Sequence, residues 1–495
     1  MLTIDARFPA LPLVLCDVPP GLVLALGQEG VPTVEVPAPR GEASPSLRRG
    51  RFVLYDRRVT AEAVIRRHLA AGQVAIDVDR YRSGEAVDPF AALVDAVGQP
   101  KLWPIAGMAV VERMARFDKA SIRRRLVDRL RRDVAAGGGI WARLAAFPFP
   151  CKSAFNLRVD LDEPNPADYA QFAIARRPID DCSTHFVSTA AYGQLPGVLA
   201  DLRRVDAQSH GHFHHVYRDR ASNRRNLERA HACLVDAGFP SPVGFAGPHG
   251  RWNPGLDETL ETLGYLYSSD FQLGYDDRPF YPWRGDRFSR VLQVPVHPLC
   301  EGAFFEAGGD ARAVADHLVA AVRLAIGACE PAFVYGHPEA RLGRHPAIVA
   351  ALAEAVAGDR LVWRTTLTDF ARWWRWRLDR RWSMTVAGDG RVAIQLDRAE
   401  QRHPLAIEVV REDQVATVPI ATPSVRFPLA ALTYERRSVR VDHPEPTAIR
   451  PPRGLKSALR AAIDWEKVTP TAEIATNSVA GKIKRGLRRL QERCA

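Results

Sequence analysis

Four histidines lie within six residues of one another in the segment SHGHFHH, at positions 210, 212, 214 and 215. The spacing of four between His210 and His214 predicts that both imidazoles lie on one face of a helical turn, an arrangement that suits metal binding. We therefore assign His210 and His214 as candidate metal ligands. His212 and His215 are interpreted as structural residues or as supports for the ligands, and a histidine-rich loop without a metal is the alternative.

Two aspartates, Asp160 and Asp162, end an apolar run in the segment RVDLDEP. Residues two apart in an extended strand point to the same side, so both carboxylates can face one site. One can then bind a metal ion while the other accepts a proton. A set of two histidines and a carboxylate binds zinc or another transition metal and leaves positions open for water. Acidic pairs are also common on protein surfaces, so this pair indicates a metal site only in combination with the histidines.

A glycine- and proline-rich loop, FAGPHGRWNPG, and a later segment, FVYGHPE, supply the remaining candidates. A loop of this kind, here Pro248, His249 and Gly250, can offer backbone N–H groups to a developing oxyanion. His337 directly follows an apolar strand and could act as a general acid. A lone histidine is more often structural, so this assignment depends on the other clusters.

These clusters follow predicted strands in a region where strands and helices alternate after the prolines of FPFPCKS. The predicted strands are 154–159, 184–188, 206–209, 243–246, 266–268, 291–296, 332–335 and 361–364. Such an alternation predicts a (β/α) barrel, whose active site lies at the carboxyl ends of the strands. The three clusters are therefore expected to meet at one end of the barrel.

The order D-x-D, S-H-G-x-x-H, F-x-x-P-x-G, Y-S-S-D and strand-G-H resembles the polysaccharide deacetylase family, the NodB-homology domain, over roughly residues 150 to 375. The resemblance implies a distorted (β/α) barrel that hydrolyses the N-acetyl amide, or in some members an O-acetyl ester, of a carbohydrate. It also implies a divalent metal, most simply zinc. The roles it implies are a base at Asp160, metal ligands at Asp162, His210 and His214, an acid at His337, and a carboxylate that orients the acid at Asp270.

One position departs from the family pattern. The arginine that usually follows the phenylalanine of the third motif, and that pairs with the base, is Ala246 here. Arg251 in the same loop or Arg158 beside the base could substitute for it; otherwise turnover is expected to be low or altered. The spaced aspartate pair also leaves open which aspartate binds the metal. This departure supports an alternative function, a catalytically impaired glycan-binding or glycan-assembly protein that retains the fold.

The remaining patterns divide the chain of 495 residues into further units. Residues 1–150 predict an N-terminal α/β domain of unknown role, 151–380 the catalytic barrel, and 381–450 a small C-terminal β-sandwich. Residues 451–495 form a basic amphipathic tail. Its apolar stripe could lie on an anionic membrane, dock on the protein itself or fray.

The net charge and the spacing of the cysteines limit where the protein is expected to be located and which partners it is expected to bind. The formal net charge of +11 is compatible with an anionic partner, although arginine richness can equally reflect genome composition. We expect no nucleic acid partner, because no recognition motif is present. The cysteines form no C-x-x-C pair, and the N-terminus makes a poor signal peptide. We therefore predict a cytoplasmic protein, with the tail as a membrane-peripheral contact, that acts on an N-acetylated carbohydrate such as a nucleotide- or lipid-linked precursor.

Overall fold

A computed structural model describes residues 8–39, 45–399, 403–436 and 446–449. Within these residues the strands form five sheets. Residues 437–445 of the predicted β-sandwich and the basic tail lie outside the described residues. None of the described helices is long and apolar enough to cross a membrane.

The N-terminal unit is built on a parallel sheet in the order β2-β1-β3-β4. Its strands are β1 (Leu13–Cys16), β2 (Thr33–Val36), β3 (Phe52–Tyr55) and β4 (Val74–Asp77). Its helices are α1 (Pro20–Glu29), α2 (Glu62–His68), α3 (Pro89–Val94) and α4 (Lys119–Ala136). Apolar residues spaced along one face of α4 are buried against this unit, as the helical period requires.

An antiparallel hairpin of β5 (Gly98–Ile105) and β6 (Met108–Ala115) connects this unit to the barrel. The N–H of Ala115 donates to the carbonyl of Phe271 (2.9 Å), and Trp103 and Met114 are buried in the barrel's core. The short strand β22 (Thr447–Ala448) pairs with β5. The hairpin therefore belongs by its packing to the central unit.

The central unit is a distorted (β/α) barrel. Its parallel strands are β8 (Ser153–Leu161), β9 (Ser183–Val187), β10 (Asp206–Ser209), β11 (Gly244–Phe245), β12 (Tyr267–Ser268), β13 (Leu292–Gln293), β14 (Pro331–Gly336) and β15 (Val362–Arg364). They follow the order β13-β12-β11-β10-β9-β8-β14, and β15 also pairs with β8. Beyond β13, the N–H of His297 donates to the carbonyl of Phe333 in β14 (2.8 Å). Every barrel strand predicted from the sequence is present.

Helices cover the outside of the barrel and connect its strands. They are α5 (Pro166–Ala175), α6 (Thr189–Tyr192), α7 (Pro196–Leu202), α8 (Arg220–Asp236), α9 (Pro254–Thr262), α10 (Glu301–Glu306), α11 (Ala311–Gly327), α12 (Pro346–Ala355) and α13 (Leu367–Leu378). A helix follows each strand except β12, which a loop connects to β13. Because the strands are parallel, the loops at their carboxyl ends gather at one face of the barrel.

Two antiparallel sheets follow the barrel. One contains β16 (Trp382–Val386), β17 (Arg391–Leu396) and β20 (Ser424–Pro428). The other contains β18 (Leu405–Arg411), β19 (Gln414–Ile420) and β21 (Glu435–Arg436), and it is extended by β7 (Trp141–Leu144), which precedes the barrel. Side chains of both sheets share an apolar core with the N-terminal unit. The domain limits drawn from the sequence stay a prediction, and this core crosses them.

Candidate active site

Asp162, His210 and His214 converge at the carboxyl ends of β8 and β10. Oδ1 of Asp162 lies 3.2 Å from Nε2 of His210 and 3.1 Å from Nε2 of His214. One ligand atom from each residue lies within 4.8 Å of the others. Oδ1 of Asp162 and Nε2 of His210 are buried and have no hydrogen-bond partner among the described residues. Buried lone pairs that converge without donors fit a cation, and two imidazoles with a carboxylate are a zinc-type set.

The two histidines reach this position from a loop, so the prediction that they share one face of a helical turn is wrong. β10 ends at Ser209, and residues 210–219 are irregular until α8 begins. Gly211 has a φ of +85°, which L side chains rarely adopt, and a Cβ there would lie 2.8 Å from Nδ2 of Asn226. The glycine therefore turns the chain back against α8.

Asn226, on α8, holds this loop in place. Its side chain accepts from the N–H of Phe213 (2.8 Å) and donates to the carbonyls of Phe213 and His215 (3.2 Å each). The rings of His210 and His214 then lie 4.8 Å apart between centroids. The sequence analysis missed Asn226, whose only signal was a polar residue on a helix face that must be buried.

A backbone contact orients His210 as a ligand. Its Nδ1 lies 2.7 Å from the carbonyl oxygen of Ala246. A carbonyl can only accept, so Nδ1 carries the proton and Nε2 presents its lone pair towards Asp162. This is the arrangement in which metal-binding histidines are usually held.

Asp160 lies beside this set and is paired with Arg158 two residues earlier on β8. Nε of Arg158 lies 2.8 Å from Oδ1 of Asp160, and Nη2 lies 2.5 Å from Oδ2. Arg158 is fully buried, donates to the carbonyl of Ser269 (2.6 Å), and lies 5.4 Å and 5.2 Å from the ring centres of Phe186 and Tyr335. The structure thus pairs Asp160 with Arg158, one of the two arginines predicted to substitute for the motif arginine.

This ion pair sets the charge of Asp160. Burial raises the pKa of the carboxyl, but the charge and hydrogen bonds of Arg158, together with the nearby His210 and His337, outweigh burial and hold the pKa below its usual value. Asp160 is therefore ionised and can accept a proton, and its bidentate partner fixes its orientation.

His337 directly follows β14 and lies beside Asp162. Its Nε2 lies 3.6 Å from Oδ2 of Asp162, and its Nδ1 lies 2.7 Å from Oε1 of Glu301. The N–H of His337 donates to the same oxygen (2.9 Å). Burial lowers the pKa of His337, but the negative charges of Glu301 and Asp162 and a hydrogen bond to Cys300 together outweigh burial and hold the pKa well above its usual value. The imidazole is therefore protonated, as a proton donor must be.

Glu301, at the start of α10, was missed by the sequence analysis. It is fully buried and lies 36 residues from its partner in the chain, so no local pattern connects the two. Cys300, Glu301 and His337 also lie within 4.8 Å of one another through potential ligand atoms. Oε1 of Glu301 accepts from Nη1 of Arg341 (3.4 Å) as well as from His337, so this second group already contains its own cations.

Asp270 has partners other than the predicted one. Its carboxylate accepts from the N–H of Gly247 (2.7 Å) and from the hydroxyl of Ser268. Burial raises its pKa to about 7, although these two hydrogen bonds oppose the shift. The carboxylate in contact with His337 is Glu301, whereas Asp270 connects the end of β12 to the loop that follows β11.

The loop predicted to bind an oxyanion is stabilised by a hydrogen bond between two of its own residues. The N–H of Gly250 donates to the carbonyl of Gly247 (2.8 Å), and Pro248 has no N–H. His249 has a φ of +59°, and its ring lies 4.9 Å from that of His214 between centroids. The loop therefore borders the metal set, while the oxyanion role of Pro248, His249 and Gly250 and the role of Arg251 stay predictions.

Comparison with known proteins gives matches among solved structures alone: no protein-family model and no curated protein matches the chain. A protein from Mycobacterium smegmatis assigned as a polysaccharide deacetylase is 19% identical, with 47% of this chain and 94% of that chain covered and a TM-score of 0.40. A similarly assigned protein from Pseudomonas aeruginosa is 18% identical, with 46% and 91% covered and a TM-score of 0.38. A CE4 family pseudoenzyme from Bacillus anthracis is 10% identical, with 45% and 66% covered and a TM-score of 0.32. The chain thus resembles polysaccharide deacetylases and CE4 family proteins over a little under half of its length, at low sequence identity.

Proposed function

We propose that the protein is a metal-dependent deacetylase that hydrolyses the acetamide of an N-acetylated carbohydrate. The observation that supports this proposal best is the placement of Asp160 and His337 beside the converged ligand atoms of Asp162, His210 and His214. Each of the two also has a partner that fixes its charge and orientation. A protein that only binds a glycan has no need for such an arrangement of base, acid and ligands.

Asp162, His210 and His214 would hold the cation, with zinc the expected ion from the donor set. A divalent cation there supplies Lewis acidity towards the acetyl carbonyl and lowers the pKa of a water molecule. Asp160 accepts the proton of the attacking water, and Arg158 holds its carboxylate in place. His337 donates the proton at Nε2 to the leaving nitrogen, while Glu301 accepts from Nδ1. Acetate and a free amine are released.

Other features of the described residues agree with the remaining predictions without deciding them. Six described cysteines are free, which fits the reducing cytoplasm predicted from the sequence. The pairing of Asp160 with Arg158 compensates for Ala246, which had been the main support for a catalytically impaired protein. The roles of the N-terminal unit and of the tail stay predictions.

The direct test combines metal content with acetate release. We expect about one equivalent of metal per chain by plasma mass spectrometry, and acetate release from N-acetylated oligosaccharides that a chelator abolishes and added zinc restores. Metal without acetate release from any substrate would favour the glycan-binding alternative. Failure of the reconstituted protein to hold metal would contradict the proposed site.

Single substitutions separate the metal ligands from the base. Asp162→Ala is expected to lose both metal and activity. Asp160→Asn should retain the metal and lower kcat by about 10²-fold to 10⁴-fold, the usual contribution of a general base. His231→Ala, a half-exposed histidine on α8, is the matched control and should retain metal and rate. Full activity in Asp162→Ala would refute the assignment.

A further inference from the structure

A second group of side chains that can bind a metal lies where the barrel closes. His297 follows β13, and its N–H donates to the carbonyl of Phe333 in β14 (2.8 Å). His317 lies on α11, and Asp276 lies in the loop between β12 and β13. We call His297, His317 and Asp276 the seam cluster. The proposed deacetylase mechanism uses none of the three.

The seam cluster is separate from the candidate active site. Asp276 and His297 border a small cavity together with Glu330 and Pro331, which lie at the start of β14. His337, the candidate acid, follows the end of the same strand. Because an extended strand rises about 3.3 Å per residue, the two ends of β14 lie roughly 15–20 Å apart. A ligand of the seam cluster would therefore not share the ion held by Asp162.

The two imidazoles of the seam cluster face each other through their Nε2 atoms, which lie 2.9 Å apart. A zinc–nitrogen bond is about 2.0–2.1 Å long, so a tetrahedral zinc ion holds two imidazole nitrogens about 3.3 Å apart. In the candidate active site, Oδ1 of Asp162 lies at the similar distances of 3.2 Å and 3.1 Å from its two imidazole nitrogens. Moving the nitrogens of His297 and His317 apart by about 0.4 Å would therefore admit an ion.

Asp276 sets the tautomer of His297. Both carboxylate oxygens of Asp276 face Nδ1 of His297, at 3.1 Å and 3.0 Å. Because a carboxylate accepts, Nδ1 carries the proton, and Nε2 of the neutral imidazole presents its lone pair towards His317. A carboxylate behind a histidine is usual at metal sites, where it fixes the ring and makes the histidine a stronger ligand.

Aromatic rings hold the two imidazoles in position. The ring of Trp103 lies 5.4 Å from that of His297, and the ring of Phe304 lies 4.8 Å from that of His317, between centroids. His297 is buried, whereas His317 is partly exposed, so an ion can approach from the side of α11 and keep water as its remaining ligands. Two protein ligands hold an ion more weakly than three, so this ion is expected to bind only when metal is added.

We infer that Nε2 of His297 and Nε2 of His317 form a second transition-metal site, in which Asp276 orients His297. Imidazole ligands suit zinc, copper and nickel. A bound ion would connect α11 to the segment after β13 and so stabilise the closed barrel. This inference does not depend on the proposed deacetylase function.

The test measures the uptake of added zinc. The full-length protein is loaded with zinc and dialysed, and further binding at micromolar free zinc is then measured by equilibrium dialysis. We expect the wild-type protein to take up one further equivalent and its midpoint of thermal unfolding to rise with zinc. His317→Ala should remove both effects. His231→Ala, a partly exposed histidine on α8, is the matched control and should retain both.

Asp276→Asn tests the site while keeping both imidazoles. We expect it to weaken the binding of the further zinc ion by about 10-fold to 100-fold, the usual cost of losing a carboxylate behind a metal-binding histidine. Circular dichroism checks that each variant is folded, and Asp276→Asn decides the question if His317→Ala does not fold. An unchanged zinc affinity in Asp276→Asn would then overturn the inference.

Two further results would overturn the inference. If the wild-type protein takes up no further zinc, His297 and His317 form a hydrogen-bonded pair without a metal. If His317→Ala takes up as much zinc as the wild-type protein, the further ion binds elsewhere on the chain.

Discussion

Two regions of the molecule bury charged side chains, and they differ in which groups pair with their carboxylates. One is the candidate active site. The other, which we call the ion cluster, lies where α1, α4 and β7 meet the barrel. The ion cluster consists of three arginines and three carboxylates: Arg123, Arg143, Arg278, Glu29, Asp277 and Glu330. All six are buried.

In the ion cluster each charge contacts an opposite one. Arg123 contacts Glu29 and lies 2.8 Å from Asp277, and Arg278 lies 3.0 Å from Glu29 and 2.8 Å from Glu330. Three positive and three negative groups balance, which is how buried charges persist in a structural role. In the candidate active site, the printed ion pairs of Asp162 are with the imidazoles of His210, His214 and His337, and among the described residues none is with an arginine or a lysine. Burial of charge does not by itself mark a functional site; a carboxylate held among imidazoles in place of a permanent cation is the stronger indication of a metal site.

The largest effect on the catalytic rate is expected from substituting Arg158. This side chain is buried and ion-paired, like those of the ion cluster, but it lies in the candidate active site. Arg158→Met removes the partner of Asp160 and leaves a buried carboxylate uncompensated. We expect kcat to fall by about 10²-fold to 10⁴-fold, the scale of a lost general base, with the metal content unchanged. Arg158→Lys keeps the charge without the bidentate geometry and should give an intermediate rate. Wild-type turnover in Arg158→Met would show that Asp160 is not the base.

Removing a charge from the ion cluster should instead affect stability alone. Arg123→Met leaves Glu29 and Asp277 without their shared partner, and we expect the free energy of unfolding in urea to fall by about 3–5 kcal/mol. The activity of the folded protein should not change. Arg125→Met, on the exposed face of the same helix, is the matched control and should cost at most about 1 kcal/mol. Equal free energies of unfolding for Arg123→Met and Arg125→Met would show that the ion cluster adds no more stability than an exposed ion pair.

A smaller effect on rate is expected from Glu301→Gln. The glutamine removes the charge that raises the pKa of His337, so kcat should fall by about 10-fold to 100-fold, a part of what a general acid contributes. Activity is lost as pH rises through the pKa of the acid, so this loss should move to lower pH in the variant. Glu354→Gln, on the exposed face of α12, is the control. An unchanged pH profile would show that Glu301 does not act through His337.

The smallest effect concerns acid stability. Burial raises the pKa of Glu29, but the charges of Arg278, Arg143 and Arg123 outweigh burial and hold the pKa well below its usual value of 4.5. A depressed pKa contributes stability that is present above the usual value and lost as pH falls. The free energy of unfolding should therefore decline below about pH 4.5, and Glu29→Gln should flatten that decline. A slope identical to that of the wild-type protein would exclude Glu29 as its source.

Much of the fold and the identity of the ligands could be predicted because they depend on short stretches of chain. Alternating strands and helices indicated every strand of the barrel, and the metal set was assigned from residue type and strand position. The helical geometry assumed for the histidine loop was wrong, because the left-handed Gly211 and the contacts of Asn226 decide the path of the chain there. The hairpin's docking on the barrel was not predicted either, since it depends on shape and not on periodicity.

The sequence by itself determined which side chains end the strands of one barrel, because strand periodicity and chain order are local properties. Tertiary structure alone decided that Arg158 pairs with Asp160 and that Glu301 contacts His337. Each of these outcomes depends on which groups burial brings within hydrogen-bonding distance or electrostatic range, and the chain's linear order does not specify that.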